Sequence, residues 1–207
     1  MPLSGFDETI REGLVNCLAY ADYVQGYPST KIDVYDGWFC FSNPGKMLVS
    51  PQQFFVGGDS RPRNEVIMKM FRLLGASERQ GFGGPLIYKM AIQNEYRGPE
   101  IITDIEHTEL KVWNIDLADS YSDLSVDEKN ILRYVVKNRQ AQSVNMIKRA
   151  LGITEYKVRK GLEVLEQNDL VRKIGNDPTT KYIVQTKSVE LLTQLQMAMD
   201  ALKKQVT

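Results

Sequence analysis

The sequence predicts an α+β protein of two parts: an α/β sandwich over residues 1–118, and a mainly helical domain with a C-terminal helix over residues 119–207. Three observations predict it. Runs of helical and strand period interleave as far as Ile115, the pattern of a largely antiparallel sheet with helices on one face. Beyond Asp123, three helical runs follow one another and end in a hairpin. Charge also changes sign along the chain. The whole is neutral, with 26 basic and 26 acidic residues, yet the stretch through Ser120 has 11 basic and 16 acidic and the remainder 15 and 10. Such asymmetry points to one part meeting a polyanion and the other not.

At 207 residues, 43% hydrophobic and 25% charged, the chain is not a disordered, collagenous or disulfide-built protein. No apolar run approaches the roughly 20 residues of a membrane span, and the first nine residues lack a signal-peptide layout, so a cytoplasmic protein is expected. Cys17 and Cys40 lie in apolar surroundings without CxxC spacing and read as small buried hydrophobes. His107 is the only histidine, which excludes a His-based metal cluster or a Ser-His-Asp triad within one chain.

Asp7 is placed to cap a helix running to Tyr23, with Ile10, Leu14, Cys17, Leu18 and Ala21 as its buried stripe. Asp36-Gly37 joins two strands, Lys31–Tyr35 and Trp38–Phe41, as a hairpin, and Asn43-Pro44-Gly45 closes the second. A loop rich in Pro and Gly precedes a helix whose apolar face is Val66, Ile67, Met70, Phe71 and Leu74, capped by Gly75. A glycine-rich turn at residues 81–85 leads into a helix over Leu86–Glu95, then strands over Glu100–Ile105 and Glu109–Ile115. The acidic stretch Asp116–Asp123 reads as a linker.

In the second part Ser125-Val-Asp-Glu128 forms a capping box. It opens a helix with Ile131, Leu132, Val135 and Val136 inward; a second helix spans Val144–Leu151, and a third follows Thr154 with Val158, Leu162 and Leu165 inward. Leu170–Lys173 and Lys181–Val184 then make a hairpin, completing a winged-helix layout. Tyr156, Arg159, Lys160 and Glu163 project away from the buried side of the third helix. With Lys157 beside them and Arg172, Lys173 and Lys181 bracketing the wing, these side chains are the expected contacts to double-stranded DNA. In the last helix, Leu192, Leu195, Met199, Leu202 and Val206 repeat at spacings of three and four, a short seam suited to a homodimer or to packing on the chain's own winged helix.

The first part carries a different chemistry. Glu12 and Asn16 are one helical turn apart on the face opposite the predicted stripe. A carboxylate there suits a general base for water, and an amide oxygen suits Mg²⁺ that bridges phosphates. Gly81, Gly83 and Gly84 precede a helix, where backbone N–H groups approach a phosphate closely. Arg61, Arg63 and Arg79 could add positive charge or pair with Asp59, Glu65 and Glu78.

In order, REGLVNCLAYADY (11–23), FSNPGKM (41–47) and DSRPRNEVIMKMFRLLGASERQGFGG (59–84) resemble the GHKL-type domain of RecG-like, AlbA-linked (Schlafen-type) proteins described as ATP-dependent DNA helicases or transcriptional regulators. The resemblance covers about Phe6–Asp116. It implies Glu12 as base, Asn16 as Mg²⁺ ligand, Asn43 and Gly45 at the adenine-reading position, Gly81 and Gly83 lining the phosphate loop, and an AlbA-type domain upstream. Asn43 replaces the family's aspartate, and Ala19-Tyr20-Ala21-Asp22-Tyr23 lacks the His and Arg of the family's AHRDY.

Three function classes stay open on sequence. One is a DNA-binding regulator whose GHKL-like domain senses a ligand or mediates assembly; the second is a Mg²⁺-dependent ATP-binding protein or ATPase; the third is a non-catalytic dimerisation module.

Overall fold

In a computed structural model that describes residues 5–25, 28–58, 61–77, 82–176, 179–187, 190–195 and 198–199, the chain divides into two units. The division falls after Asp116, and the described residues beyond Lys187 group with the first unit.

The first unit opens on α1 (Gly5–Tyr20). Periodicity places Glu12 and Asn16 on its solvent face. Instead Thr9, Glu12, Gly13, Val15, Cys17 and Ala19 are all buried, because β2 (Trp38–Pro44), α3 (Glu65–Leu73) and α4 (Gly83–Gln93) all pack against the helix. Gly13 is required by the close approach to the sheet, since a Cβ there would lie 2.6 Å from the Phe41 ring. The helix stops three residues before Tyr23. Beyond it, Asn64 Nδ2 donates to the carbonyls of Ala19 and Ala21, and the Asp22 N–H donates to Pro44 O at 2.8 Å. Those bonds carry the backbone out of the helical path.

Strands β1 (Lys31–Tyr35), β2, β3 (Glu100–Thr103) and β4 (His107–Trp113) form one antiparallel sheet in the order β1-β2-β4-β3. Gly37, at φ 88°, supplies the left-handed residue of the predicted hairpin turn. β3 ends at Thr103 rather than Ile105, because Asp104 Oδ1 accepts the N–H groups of Glu106 and His107 and so closes a turn there. In the β2–β4 register Phe41 lies opposite Leu110 and Asn43 opposite Thr108. Phe41, Leu110 and Val112 share a core with Cys17, Phe55, Ile87 and Tyr88, so the helices cover one face of the sheet. On the other face Tyr35, Trp38 and Trp113 stack in a row, at 4.0 and 5.3 Å between ring centroids.

Three helical details depart from expectation. α2 (Pro51–Val56) lies where the sequence suggests a loop; six residues are too few to show a period, and Ser50 caps it by accepting the Gln53 N–H. In α3, Met68 rather than Met70 is buried: Ile67, Met68 and Phe71 rest on Val15 and Ala19, while Val66, Met70 and Leu74 face solvent. Gly75 ends that helix as expected, at φ 68°. α4 begins at Gly83 instead of Leu86, because proline is at home in a first helical turn and Gly84 admits a neighbouring carbonyl.

The second unit contains α5 (Val126–Asn138), α6 (Val144–Leu151), α7 (Glu155–Gln167) and the antiparallel pair β5 (Val171–Ile174) and β6 (Lys181–Val184). Ser125, Ser143 and Thr154 cap the helices through their hydroxyl oxygens, and the capping box at Ser125–Glu128 is complete. Ile131, Leu132, Val135, Ile147, Val158, Leu162 and Leu165 are fully buried together. Gly161 lets α7 approach α5 closely, since a Cβ there would meet Ile131 Cδ1 at 2.6 Å. Asp169 takes the left-handed conformation at the turn into β5, with φ 55°. The expected linker is part of this core: Leu117, Ala118, Tyr121 and Leu124 pack into it, and Asp119 pairs with Lys129 and Arg133. Its acidic residues mask an apolar residue every third or fourth place.

Residues 190–195 and 198–199 are helical. Of the apolar repeat there, Leu192, Leu195 and Met199 are exposed, and Leu202 and Val206 lie outside the described residues. Among the described residues no helix is long and apolar enough to cross a membrane.

Candidate functional site

The chemistry in the first unit converges on the start of α4. A Cβ added to Gly83 would stand 2.7 Å from Glu12 Oε2 and 3.2 Å from Asn16 Nδ2. The glycine therefore makes room for both side chains, and its backbone lies against them. Phe82, the residue before the helix, makes no side-chain cap, and Pro85 has no N–H to be satisfied in the first turn. A carboxylate beside this positive helix end is electrostatically favoured, which helps explain how Glu12 tolerates 3% exposure. Asn16 Nδ2 is buried and has no hydrogen-bond partner. An amide left this way costs free energy unless something else completes its bonding.

Asn16 also borders a small cleft between α1 and the sheet that opens to solvent. Cys17, Phe41, Phe54 and Leu110 contribute apolar walls, while Asn43 and Thr108 contribute polar groups from neighbouring strands. Lys46 lies on the rim. Asn43 is buried, and its Nδ2 donates to Pro44 O at 3.2 Å. Thr108 Oγ1 donates to Gly45 O, and the Thr103 hydroxyl lies 2.9 Å from it. Sequence reasoning misses Thr108, Thr103 and Lys46. Only strand register brings the threonines beside Asn43, although Lys46 stands within the FSNPGKM motif.

Gly45 does not line the cleft. Its N–H donates to Glu106 O at 2.7 Å and its carbonyl accepts from Thr108, so both backbone groups are engaged. Its φ of 92° and its contact with Asp22 and Arg63 make it a turn residue that lets β2 run into the cleft rim. Arg63 pairs with Asp22 at 3.3 Å, not with Glu65, and donates to Lys46 O at 2.8 Å, bracing that rim from below. Gly81 and Arg79, with the expected partners Asp59 and Glu78, lie outside the described residues.

Burial pushes the Cys17 thiol up to about 12, with a smaller contribution from Cys40, and burial also raises Cys40. Both are protonated and inert at neutral pH, in keeping with their apolar sequence surroundings. Among the described residues no cluster of His, Cys, Asp and Glu could hold a metal ion by itself.

In the second unit the cations expected to meet DNA are exposed, but two are engaged. Arg159 donates from Nε and Nη2 to Glu155 Oε1, and Lys157 pairs with Asp127 at 2.8 Å. Lys160, Arg172, Lys173 and Lys181 make no ion pair among the described residues, and Tyr156 is 73% exposed. Arg172 and Lys181 fall on one face of the hairpin; Lys173 falls on the face whose Val171 and Tyr182 enter the core. Exposed pairs such as Arg159–Glu155 are worth only about 0–1 kcal/mol, little enough for a phosphate to displace.

An N-terminal helix, a hairpin, and a glycine-started helix returning to a second hairpin define a mixed α+β domain with an antiparallel sheet. Residues 29–112 match the family model described as "Putative ATP-dependent DNA helicase recG C-terminal", and this stretch carries that RecG-like, GHKL-type domain. Gly83 lies within the match, and α1 with Glu12 and Asn16 precedes it. Among solved structures, the chain is similar to the DIP2311 protein from Corynebacterium diphtheriae, at 17% identity and TM-score 0.47 over 90% of this chain, and it spans 40% of that protein's chain. It is also similar to S. aureus MepR bound to ethidium bromide, at 20% identity and TM-score 0.30, over 43% of this chain and 69% of that one. No curated protein matches.

Proposed function

We propose that the first unit binds a Mg²⁺-nucleotide and that the second, as a winged helix, binds duplex DNA, which makes the protein a DNA-binding regulator with a nucleotide-sensing domain. The observation that carries the first half is the convergence of Glu12 and the unpartnered Asn16 amide on Gly83 at a helix N-terminus. A helix N-terminus is a favourable place for an anionic phosphate. Asn16 would hold the metal through its amide oxygen, since amide O and N are interchangeable by rotation. Mg²⁺ would supply charge neutralisation between phosphates. Glu12 is placed to take a proton from a water beside Gly83.

A titration of fluorescent ATP analogue with Mg²⁺ tests this. Saturable binding is expected, weakened about tenfold or more in Asn16→Ala, the worth of one contact to a charged group. No saturable signal, or one unchanged in both Glu12→Ala and Asn16→Ala, ends the nucleotide reading.

The DNA half is supported by Lys160, Arg172, Lys173 and Lys181 around α7 and the hairpin, which make no ion pair among the described residues. Affinity for a short duplex should fall steeply with salt as counterions are released. Replacing Lys160, Arg172 and Lys173 together by alanine should lower it and flatten the salt slope by about one for each phosphate no longer neutralised. An unchanged affinity and slope would remove DNA as the partner.

A further inference from the structure

We infer that the C-terminal helix is a pairing surface for a second copy of this chain, because it lays its polar side on the chain's own first unit and turns its apolar seam outward. Pairing through this seam requires neither nucleotide nor DNA.

The helical residues 190–195 and 198–199 group with the first unit. Thr193 is only 8% exposed, Glu190 is half-buried, and Gln194 Nε2 donates to Glu190 Oε1 at 3.2 Å. Burial, and after it the charge of Glu190, raises the Tyr88 phenol, so this side of the helix lies toward the first unit's core. Leu191, Leu192, Leu195 and Met199 fall on the opposite side. They are 44–61% exposed and enter none of the buried clusters. A surface helix ordinarily does the reverse, burying its apolar stripe and wetting its polar one. A contiguous apolar stripe turned to solvent marks an interaction surface.

The spacing of the stripe selects what covers it. Leu192, Leu195 and Met199 stand three and four residues apart, and the sequence continues that repeat at Leu202 and Val206. Alternating steps of three and four keep a seam aligned along another helix with the same repeat, which is the geometry of paired helices. In the sequence the positions flanking the repeat are Leu191, Gln196, Ala198, Lys203 and Gln205, with a single charge among them. They offer an unlike partner no charge pattern to recognise, and a copy of the same helix meets almost no like-charge repulsion. About two heptads would not hold two free peptides together. This helix is already ordered on its own unit, so association costs little further ordering. The apolar residues exposed on α3, Val66, Met70 and Leu73, belong to a helix of nine residues, which has room for little more than one heptad.

Sedimentation velocity of the full chain over a dilution series tests this. A concentration-dependent dimer is expected, and Leu195→Glu should weaken it about a hundredfold or more, since every dimer loses two buried leucines. Leu195 is exposed in the single chain, so the substitution should leave the fold intact, which unchanged tryptophan emission and far-UV circular dichroism would verify. Met70→Glu, on the exposed side of α3, serves as the contrast and should leave the dimer in place. A wild type that stays monomeric up to about 0.1 mM overturns the proposal. So does a dimer that survives Leu195→Glu, and its dissociation by Met70→Glu alone would place the interface on α3. A monomer in which Leu195→Glu lowers the melting temperature of the second unit likewise overturns it, and gives the seam to the chain's own helices.

Discussion

Replacing Gly84 by alanine is expected to destabilise the first unit by about 3 kcal/mol, the upper end of the usual overpacking cost. A Cβ at this position would stand 2.0 Å from the carbonyl oxygen of Phe54 and 2.7 Å from its carbonyl carbon. These are backbone atoms, and no rotamer change can remove them. Relief requires α2 to move off α4, which takes Phe55 out of its contact with Tyr88 in the core. The better helix propensity of alanine returns at most about 1 kcal/mol. Urea unfolding followed by tryptophan emission measures the effect directly, because Trp38 and Trp113 both belong to the first unit and are the chain's only tryptophans. An unshifted midpoint would mean that α2 does not sit on α4 as described. Gly83→Ala is the informative contrast: its nearest atoms are the side-chain ends of Glu12 and Asn16, so it should disturb the candidate site more than the fold.

Leu162→Ala is expected to cost the second unit about 2–5 kcal/mol, the range for truncating a fully buried leucine. Leu162 has no exposed surface and lies among Ile131, Leu132, Val158 and Leu165, on the inward side of α7. Domains of ordinary size are stable by only about 5–15 kcal/mol, so a large part of the unit's stability would go. A lowered transition in far-UV circular dichroism should show it, while Leu162→Met, which conserves volume, should lose less than about 1.5 kcal/mol. Equal melting of the two variants would contradict the burial assigned to this residue.

How much can be read beforehand differs sharply between the units. In the second, Ser125, Ser143 and Thr154 mark the starts of their helices and Val158, Leu162 and Leu165 their inner face, because caps and a one-sided apolar stripe are local signals that tertiary packing reinforces. In the first, the stripe on α1 misleads. A helix packed against β2, α3 and α4 has no solvent face to contrast with, so Glu12 and Asn16 read as outward although Glu12 is buried. The exposed Val66 and Met70 on α3 fail in the opposite sense: apolar residues need not be covered. The same limit hides Thr108, which becomes part of the cleft only through strand register, and the Thr103 hydroxyl bonded to it.

The sequence by itself determined the strands and every helix except α2, the turns at Asp36-Gly37 and Gly75, the caps at Ser125, Ser143 and Thr154, and the identity of the chemically able residues Glu12, Asn16 and Gly83. Each of these follows from contacts within a few residues of chain, where propensity, capping and period act. Only the tertiary structure decided that Glu12 and Asn16 point inward to Gly83, that Asn43 shares a cleft with Thr108, and that Arg63 braces the rim through Asp22. These positions are up to about seventy residues apart in the chain, and their meeting depends on packing and register that no local pattern encodes.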